Sequence, residues 1–172
     1  NLFGMGGSPL CSIARGQGKN DEAEEIMGNA FSLLVIFGIL LTIIIFVVKE
    51  DLLWLFGASK DTLVYANDYM TIYLFGTIFV LISLGMNSFI NSQGFAKIGM
   101  CTVLIGAILN IVLDPIFIFV FELGVKGAAI ATVMSQFISG IWTIYFLTGN
   151  KTILKLKKKN MKLKIIHVKR IV

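Results

Sequence analysis

One acidic residue lies inside a long apolar stretch of the sequence, where it is well placed to do chemistry. Residues 98–121 read IGMCTVLIGAILNIVLDPIFIFVF and contain a single charged side chain, Asp114. A carboxylate inside a membrane span costs about 2.5–3.5 kcal/mol on insertion scales, so it needs a partner or water. Because such residues usually mark ion, proton or substrate pathways, Asp114 is the first candidate for a functional site.

Two neighbours of Asp114 strengthen this interpretation. Asn110 lies four residues earlier, so on a helix its amide stands one turn away on the same face. Pro115 has no N–H and its ring clashes with the carbonyl group of Ile111, which predicts a helix bend and a freed backbone oxygen. Three oxygen-bearing groups therefore converge on one face. The alternative is structural: a protonated Asp114 that only caps or kinks a packed helix.

The composition indicates a membrane protein. Of the 172 residues, 56% are hydrophobic and 15% are charged, which is too apolar for a soluble domain of this size. Four stretches are long enough to cross the ~30 Å hydrocarbon core as helices. They are residues 29–48, 69–96, 98–121 and 127–150. Residues 1–14 are too short to span and read as the end of a further helix, so we expect a piece of a longer chain.

These stretches predict an all-α, multi-pass transmembrane helix bundle with four complete spans and the end of a fifth. The polar residues 87–96 should protrude as a turn. Asn20 is expected to cap the first long helix. Residues 52–56 suit a short helix in the membrane interface with Trp54 as anchor.

The carboxyl-terminal part of the chain is strongly basic. Nine of the fifteen Lys and Arg residues lie in the last 22 residues, mixed with Ile and Leu. This pattern predicts an amphipathic surface helix beside anionic lipids, rather than a nucleic-acid-binding arm. We therefore divide the chain into a transmembrane part, residues 1–150, and a basic cytoplasmic linker, residues 151–172. The single histidine, His167, should be solvated or face lipid.

Positive charge is distributed unequally across the spans. Twelve Lys and Arg residues fall on the side of the two chain ends, and three on the other side, Lys49, Lys60 and Lys126. Since positive residues accumulate on the cytoplasmic side, both ends are predicted to be cytoplasmic in the cytoplasmic membrane. Asp114 lies ~24 Å along its helix from Ile98, in the outer half. Cys11 and Cys101 lie near the cytoplasmic face, where thiols stay reduced.

The chain resembles the multidrug and toxic compound extrusion (MATE) family over essentially its whole length. The segments that carry the resemblance are GGSPLCSIARGQGKNDEAEEIMGNAF, LLWLFGASKDTLVYANDYM, NSQG, ILNIVLDPIFIF and KGAAIATVMSQ, in the family's order. The resemblance implies a twelve-helix transporter with two lobes. This piece would run from the end of helix two to helix six and then into the linker toward the missing second lobe.

The resemblance also implies a site. Family members export drugs and organic cations against an inward flow of H⁺ or Na⁺, without a cofactor. Their amino-terminal lobe holds a cation with an acid on the first helix, Asn and Asp on the fifth, and Thr on the sixth. Asn110, Asp114 and Thr132 match the last three, so H⁺ exchange or a Na⁺ site at these residues is implied. From the residues alone, Thr132 is as consistent with helix packing.

Three alternatives remain open. A lipid-linked oligosaccharide flippase of the same superfamily would be expected to carry basic residues within its spans, and this chain has none there apart from the tail. An intramembrane aspartyl protease needs two acids sharing a proton, of which only Asp114 is present in these spans. In a structural membrane subunit, Asp114 would be dispensable.

Overall fold

The computed structural model describes residues 2–171, which form helices and connecting segments and contain no β-strand. The helices are α1 (Leu2–Gly16), α2 (Asn20–Leu55), α3 (Lys60–Ser92), α4 (Ala96–Pro115), α5 (Gly124–Thr148) and α6 (Ile165–Ile171), with a π-helical turn at Ile116–Val120 and a 3₁₀ turn at Lys158–Met161. Four helices are long and apolar enough to cross a membrane: α2, α3, α4 with its π-helical turn, and α5. The predicted all-α architecture with four spans is therefore confirmed.

The helix α2 is longer at both ends than its apolar stretch. It starts at Asn20, with Lys19 in the capping position and no side-chain cap, so the prediction that Asn20 is the cap is wrong. It continues through Trp54 to Leu55, so the separate interfacial helix is wrong too. The charged residues after Val48 contain no Gly or Pro to stop a helix. Lys49 also donates to Thr71 Oγ1 of α3 at 2.7 Å, which ties this extension to the bundle.

The predicted protruding turn at residues 87–96 is mostly helix. α3 continues to Ser92, and only the next three residues form the turn, with Gly94 at a φ of 90°. Asn87, Phe89 and Ile90 are buried. Phe89 packs on Gly7 of α1, where even a methyl group would lie 2.8 Å from the ring. Burial of these apolar side chains outweighs the polar composition of the segment.

The helix α3 runs through the middle of the bundle and contacts α1, α2, α4 and α5. Small residues allow the close approach. A methyl group on Gly4 of α1 would lie 2.5 Å from the carbonyl oxygen of Gly85, and Gly76 packs directly against Val133 of α5. The main hydrophobic cluster lies where α1, the start of α2 and the end of α3 meet the carboxyl-terminal segment. We call this the tail end of the bundle.

Residues 151–171, which we call the tail, are not the continuous surface helix that the sequence predicts. Most of the segment is irregular, and Leu154 and Leu156 are buried in the main hydrophobic cluster. Buried polar side chains of the bundle hold its backbone. Gln93 Oε1 accepts from the N–H of Leu154 at 2.8 Å, and Asn29 Oδ1 accepts from the N–H of Lys164 at 2.6 Å. Because these bonds satisfy backbone donors, they replace the helical bonds expected from the sequence.

The acidic start of α2 pairs with the cations of the tail. The ion pairs are Glu24–Lys157 at 2.5 Å, Glu25–Lys164 at 2.7 Å and Glu22–Arg170 at 2.9 Å. His167 is only 5% exposed, and its Nε2 lies 3.1 Å from Glu25 Oε2. The prediction of a solvated or lipid-facing histidine is therefore wrong. Burial against α2 and the nearby carboxylate explain its position, neither of which is visible in the local sequence.

In the full-length protein, Glu25→Gln is expected to loosen the tail. Hydrogen bonds from Lys164, and then from His167, hold the pKa of Glu25 below its ordinary value of 4.5. The ionised carboxylate of Glu25 therefore stabilises the docked tail fully at pH values above the ordinary pKa of 4.5. This stabilisation is lost as the pH falls through the lowered pKa of the folded protein. Hydrogen exchange of residues 155–171 should be faster in the variant at pH 7 but alike in both proteins at acidic pH. Glu50→Gln, on the exposed opposite end, is the control, and equal exchange at pH 7 would contradict the expectation.

Candidate functional site

The helix α4 places Asn110 and Asp114 one turn apart on the same face. Asn110 Nδ2 donates a hydrogen bond to Asp114 Oδ1 at 3.1 Å. This spacing is the ordinary i, i+4 contact of a helix, so the pair needs no tertiary structure to form. Both side chains are half-buried, which leaves the carboxylate partly accessible.

The helix α5 adds the third candidate residue. Asn110 Nδ2 also donates to Thr132 Oγ1 at 3.3 Å. The Thr132 hydroxyl donates its own hydrogen to the carbonyl oxygen of Ala128 at 2.9 Å. Thr132 is therefore an acceptor toward Asn110, which bridges the two helices. We call Asn110, Asp114 and Thr132 the polar cluster.

Close packing near the start of α5 brings the two helices together beside this cluster. Gly127 is buried, and a methyl group there would lie 2.6 Å from the carbonyl oxygen of Phe117 and 2.7 Å from its carbonyl carbon. Only glycine allows the backbone of α5 to approach the π-helical turn this closely. Thr132 lies just over one turn beyond Gly127, so this contact positions it against α4.

Pro115 marks the end of regular α-helical structure in α4. The next five residues, Ile116–Val120, form a π-helical turn. Proline cannot donate the hydrogen bond of a regular turn, and π-helical turns are frequent at functional sites. The reversal into α5 then uses positive φ angles at Glu122, 53°, and Gly124, 52°. The irregular backbone thus begins after Pro115, whereas residues 111–115 stay α-helical, and the bend with a freed Ile111 carbonyl group stays a prediction.

The chemistry available to the polar cluster follows from its donors and acceptors. Asp114 is the titratable member, whereas Asn110 and Thr132 are neutral. In the observed arrangement, the assigned amide orientation directs the NH₂ group of Asn110 at both other side chains. A Na⁺ ion shared by Asp114 and Thr132 would need the amide rotated to present its oxygen, because hard cations prefer oxygen ligands. A proton on Asp114 needs no such rotation.

The structure reveals buried polar contacts that the sequence analysis did not single out. Ser83 of α3 lies 2.8 Å from Ser139 of α5, oxygen to oxygen, and Ser139 donates to the carbonyl oxygen of Thr102 in α4 at 2.9 Å. Since the Ser139 hydrogen is used by Thr102, Ser83 must donate to Ser139. These bonds join three spans. Their signal in the sequence is the recurrence of Ser and Thr at helical spacing along α5 from Thr132 onward.

Among residues 2–171, no group of three His, Cys, Asp or Glu side chains lies close enough to hold a metal ion. The two cysteines in this range, Cys11 and Cys101, are free thiols. Any cation at Asp114 would therefore use neutral oxygens as its other ligands in this part of the protein.

The sequence was compared with known families and curated proteins. The family model MatE matches residues 1–116. The multidrug export protein MepA of Staphylococcus haemolyticus is 33% identical over 156 residues, which is 89% of this chain and 34% of the relative. MepA of Staphylococcus aureus strain N315 is 29% identical over 166 residues, 93% of this chain and 36% of the relative. The chain thus spans about a third of the length of these relatives.

The fold agrees with solved transporter structures. An inward-facing multidrug resistance MATE family transporter of the MOP superfamily superposes with a TM-score of 0.93, at 26% identity, covering 99% of this chain and 39% of that one. The outward-facing conformation of such a transporter gives 0.91, at 26% identity and 99% and 38% coverage. The helix order, the sequence match and these superpositions agree. The chain belongs to the MATE family of multi-pass membrane transporters.

Proposed function

We propose that the full-length protein is an antiporter in the cytoplasmic membrane that exports drugs or organic cations in exchange for H⁺ or Na⁺. The described chain would form part of its amino-terminal lobe, and the tail would lead toward a second lobe. The relatives named as multidrug export proteins support this function, and the observation that carries it is the polar cluster. A titratable carboxylate that accepts from Asn110, whose amide also bonds Thr132 of α5, can respond to the coupling ion.

The proposed mechanism uses the two charge states of Asp114. When the carboxylate is neutral it can enter a drier packing, whereas the charged form demands water or a cation. The charge state of Asp114 affects its hydrogen bond with Asn110. Because the same amide group also bonds Thr132, the change is transmitted to α5. The Pro115 junction and the π-helical turn give α4 the irregular backbone that a local rearrangement needs. Cation exchange at Asp114 would thereby bias the packing of α4 against α5.

Alternating access would come from movement of whole lobes. This chain superposes about equally well on the inward-facing and the outward-facing MATE structures, with TM-scores of 0.93 and 0.91. The fold of this part of the protein is therefore compatible with both reference states. Rocking of two repeats about a shared site is the usual motion of such transporters. The proposed transporter would also bind its drug substrate and contact membrane lipids.

Drug transport by the full-length protein in liposomes tests the proposal. A dye such as ethidium should accumulate inside liposomes in which the protein is oriented to pump inward, provided that H⁺ or Na⁺ is more concentrated inside than outside. The outward flow of the ion then drives the inward movement of the dye. Each gradient is applied alone, so the ion that drives transport identifies the coupling ion. Collapse of that gradient with an ionophore is the control. Transport that ignores both gradients would contradict the antiporter proposal.

The orientation follows from the charge distribution and has its own test. We propose that the tail end of the bundle is cytoplasmic, which puts Asp114 in the outer half of the membrane. In a background without Cys11 and Cys101, a membrane-impermeant thiol reagent applied to intact cells should label Lys60→Cys. Under the same conditions it should not label Lys158→Cys. The reverse pattern would invert the topology.

A further inference from the structure

A cavity lies between the start of α4 and the end of α5, on the tail end of the bundle and far from the polar cluster. Its volume is about 340 Å³. This is at the lower end of the roughly 300–1,000 Å³ typical of small-molecule pockets, so it suits a headgroup rather than a large ligand. Its apolar lining comes from Ile98, Tyr145 and Phe146, and its polar rim from Asn150 and Lys151.

Trp142 also lines this cavity, and its indole N–H is buried without a hydrogen-bond partner among the described residues. Because that nitrogen is enclosed, Trp142 offers the cavity its aromatic ring. Tyr145 lies next to it, with ring centroids 6.4 Å apart. Trp and Tyr together at the end of a span are typical of the membrane interface, where lipid headgroups lie.

Two ammonium groups stand at the rim of the cavity. Lys151 lines it directly, and Lys155 Nζ donates to Asn150 Oδ1, another lining group, at 2.7 Å. Among residues 2–171, no acidic side chain lines the cavity. The rim is therefore electropositive, while the lining below it is aromatic and aliphatic. An occupant that matches both parts has an anionic head and an apolar chain.

We propose that this cavity binds an anionic phospholipid of the cytoplasmic leaflet. The phosphate lies beside Lys151 and Lys155, and an acyl chain extends over Ile98 and Tyr145 into the bilayer. Anionic lipids are enriched in the cytoplasmic leaflet and attract Lys side chains at its surface. The inference rests on the proposed orientation but not on the coupling mechanism, because binding is measured without transport.

Lipid retention by the full-length protein tests the inference. The purified protein is mixed with phosphatidylglycerol or phosphatidylcholine in detergent, and bound lipid is counted by native mass spectrometry. The wild type should retain phosphatidylglycerol in preference to phosphatidylcholine. Lys151→Gln should weaken phosphatidylglycerol binding about fivefold, since it removes an ammonium group that lines the cavity directly, a contact comparable to an exposed ion pair. Lys155→Gln, which removes the second ammonium group at the rim, should weaken binding in the same direction.

The control is Lys159→Gln, which removes the same charge from an exposed tail residue outside the cavity lining. It should leave phosphatidylglycerol retention within about twofold of the wild type, a smaller change than loss of a direct contact. Equal losses in all three variants would mean bulk attraction to the basic tail and would overturn the proposal. Absence of retained phosphatidylglycerol in the wild type would overturn it as well. Displacement by glycerol 3-phosphate alone would assign the site to a free phosphate and not to a lipid.

Discussion

Replacing Asp114 with Asn in the full-length protein is expected to abolish gradient-driven drug export while expression and membrane insertion remain. Asn retains the shape and one carbonyl oxygen, which can still accept from Asn110 as Asp114 Oδ1 does at 3.1 Å. It cannot exchange a proton near neutral pH, and it offers Na⁺ no negative charge. An acid in a span costs about 2.5–3.5 kcal/mol on insertion. Insertion should therefore not suffer, because the substitution removes this cost. Export is measured in proteoliposomes and insertion by membrane fractionation.

Controls separate the titratable group from its neutral partners. Asn110→Ala and Thr132→Ala each remove one neutral hydrogen-bonding group, a change worth about 0.5–1.5 kcal/mol, so export should be reduced but retained. Asp51→Asn makes the same chemical change at an exposed position near the end of α2 and should leave export unaltered. If Asp114→Asn exports at the normal rate with unchanged ion dependence, Asp114 is structural and the proposed coupling site is wrong.

The substitution Gly127→Ala is expected to cause the second largest loss of export. Its new methyl group would lie 2.6 Å from the carbonyl oxygen of Phe117 and 3.0 Å from the amide nitrogen of Ile118. Since these are backbone atoms, no side chain can rotate away, and the π-helical turn or α5 must move. Overpacking of this kind costs about 1–3 kcal/mol. The displacement would separate Thr132 from Asn110, whose bond is already 3.3 Å long.

Thermal unfolding and export of the full-length variant measure this effect. Ala is ordinarily the better helix former by about 1 kcal/mol, so a stabilised protein would result if the site had room. Gly16→Ala is the matched control, because nothing beyond the neighbouring backbone of its own helix lies within 4 Å of the added methyl group. That variant should unfold at the wild-type temperature or above and export normally. A Gly127→Ala protein that behaves like the control would show that the close approach is not required.

The sequence alone was sufficient for those features that depend on contacts within one helix. Four apolar stretches predicted four spans, since the hydrocarbon thickness sets a minimum helix length. Asn110 and Asp114 could be placed side by side because i and i+4 positions meet on any α-helix. Pro115 predicted an interruption, because it lacks the N–H that a regular turn requires. Each inference uses a period or a length that needs no knowledge of neighbouring helices.

Contacts between helices were beyond such reasoning. Thr132 is 22 residues from Asn110 in the sequence. Its own segment is as consistent with a role in helix packing as with a role in the polar cluster. Only the family resemblance implied its role. The structure brings it to Asn110 because Gly127 lets α5 approach the π-helical turn of α4. The Ser83–Ser139 contact is similar: each hydroxyl could bond its own helix, and only the packing of α3 on α5 selects the other partner.

The tail shows most clearly what the tertiary structure decided. From its own sequence, the run of Lys with Ile and Leu has the pattern of a surface helix, and His167 looks exposed. The docked conformation depends on residues far away in the chain: Gln93 and Asn29 accept from tail N–H groups, and Glu25 pairs with Lys164. A local pattern cannot encode these partners. Their ion pairs and the burial of Leu154 and Leu156 outweigh the intrinsic helical preference of a short basic segment, because isolated short helices are only marginally stable in water.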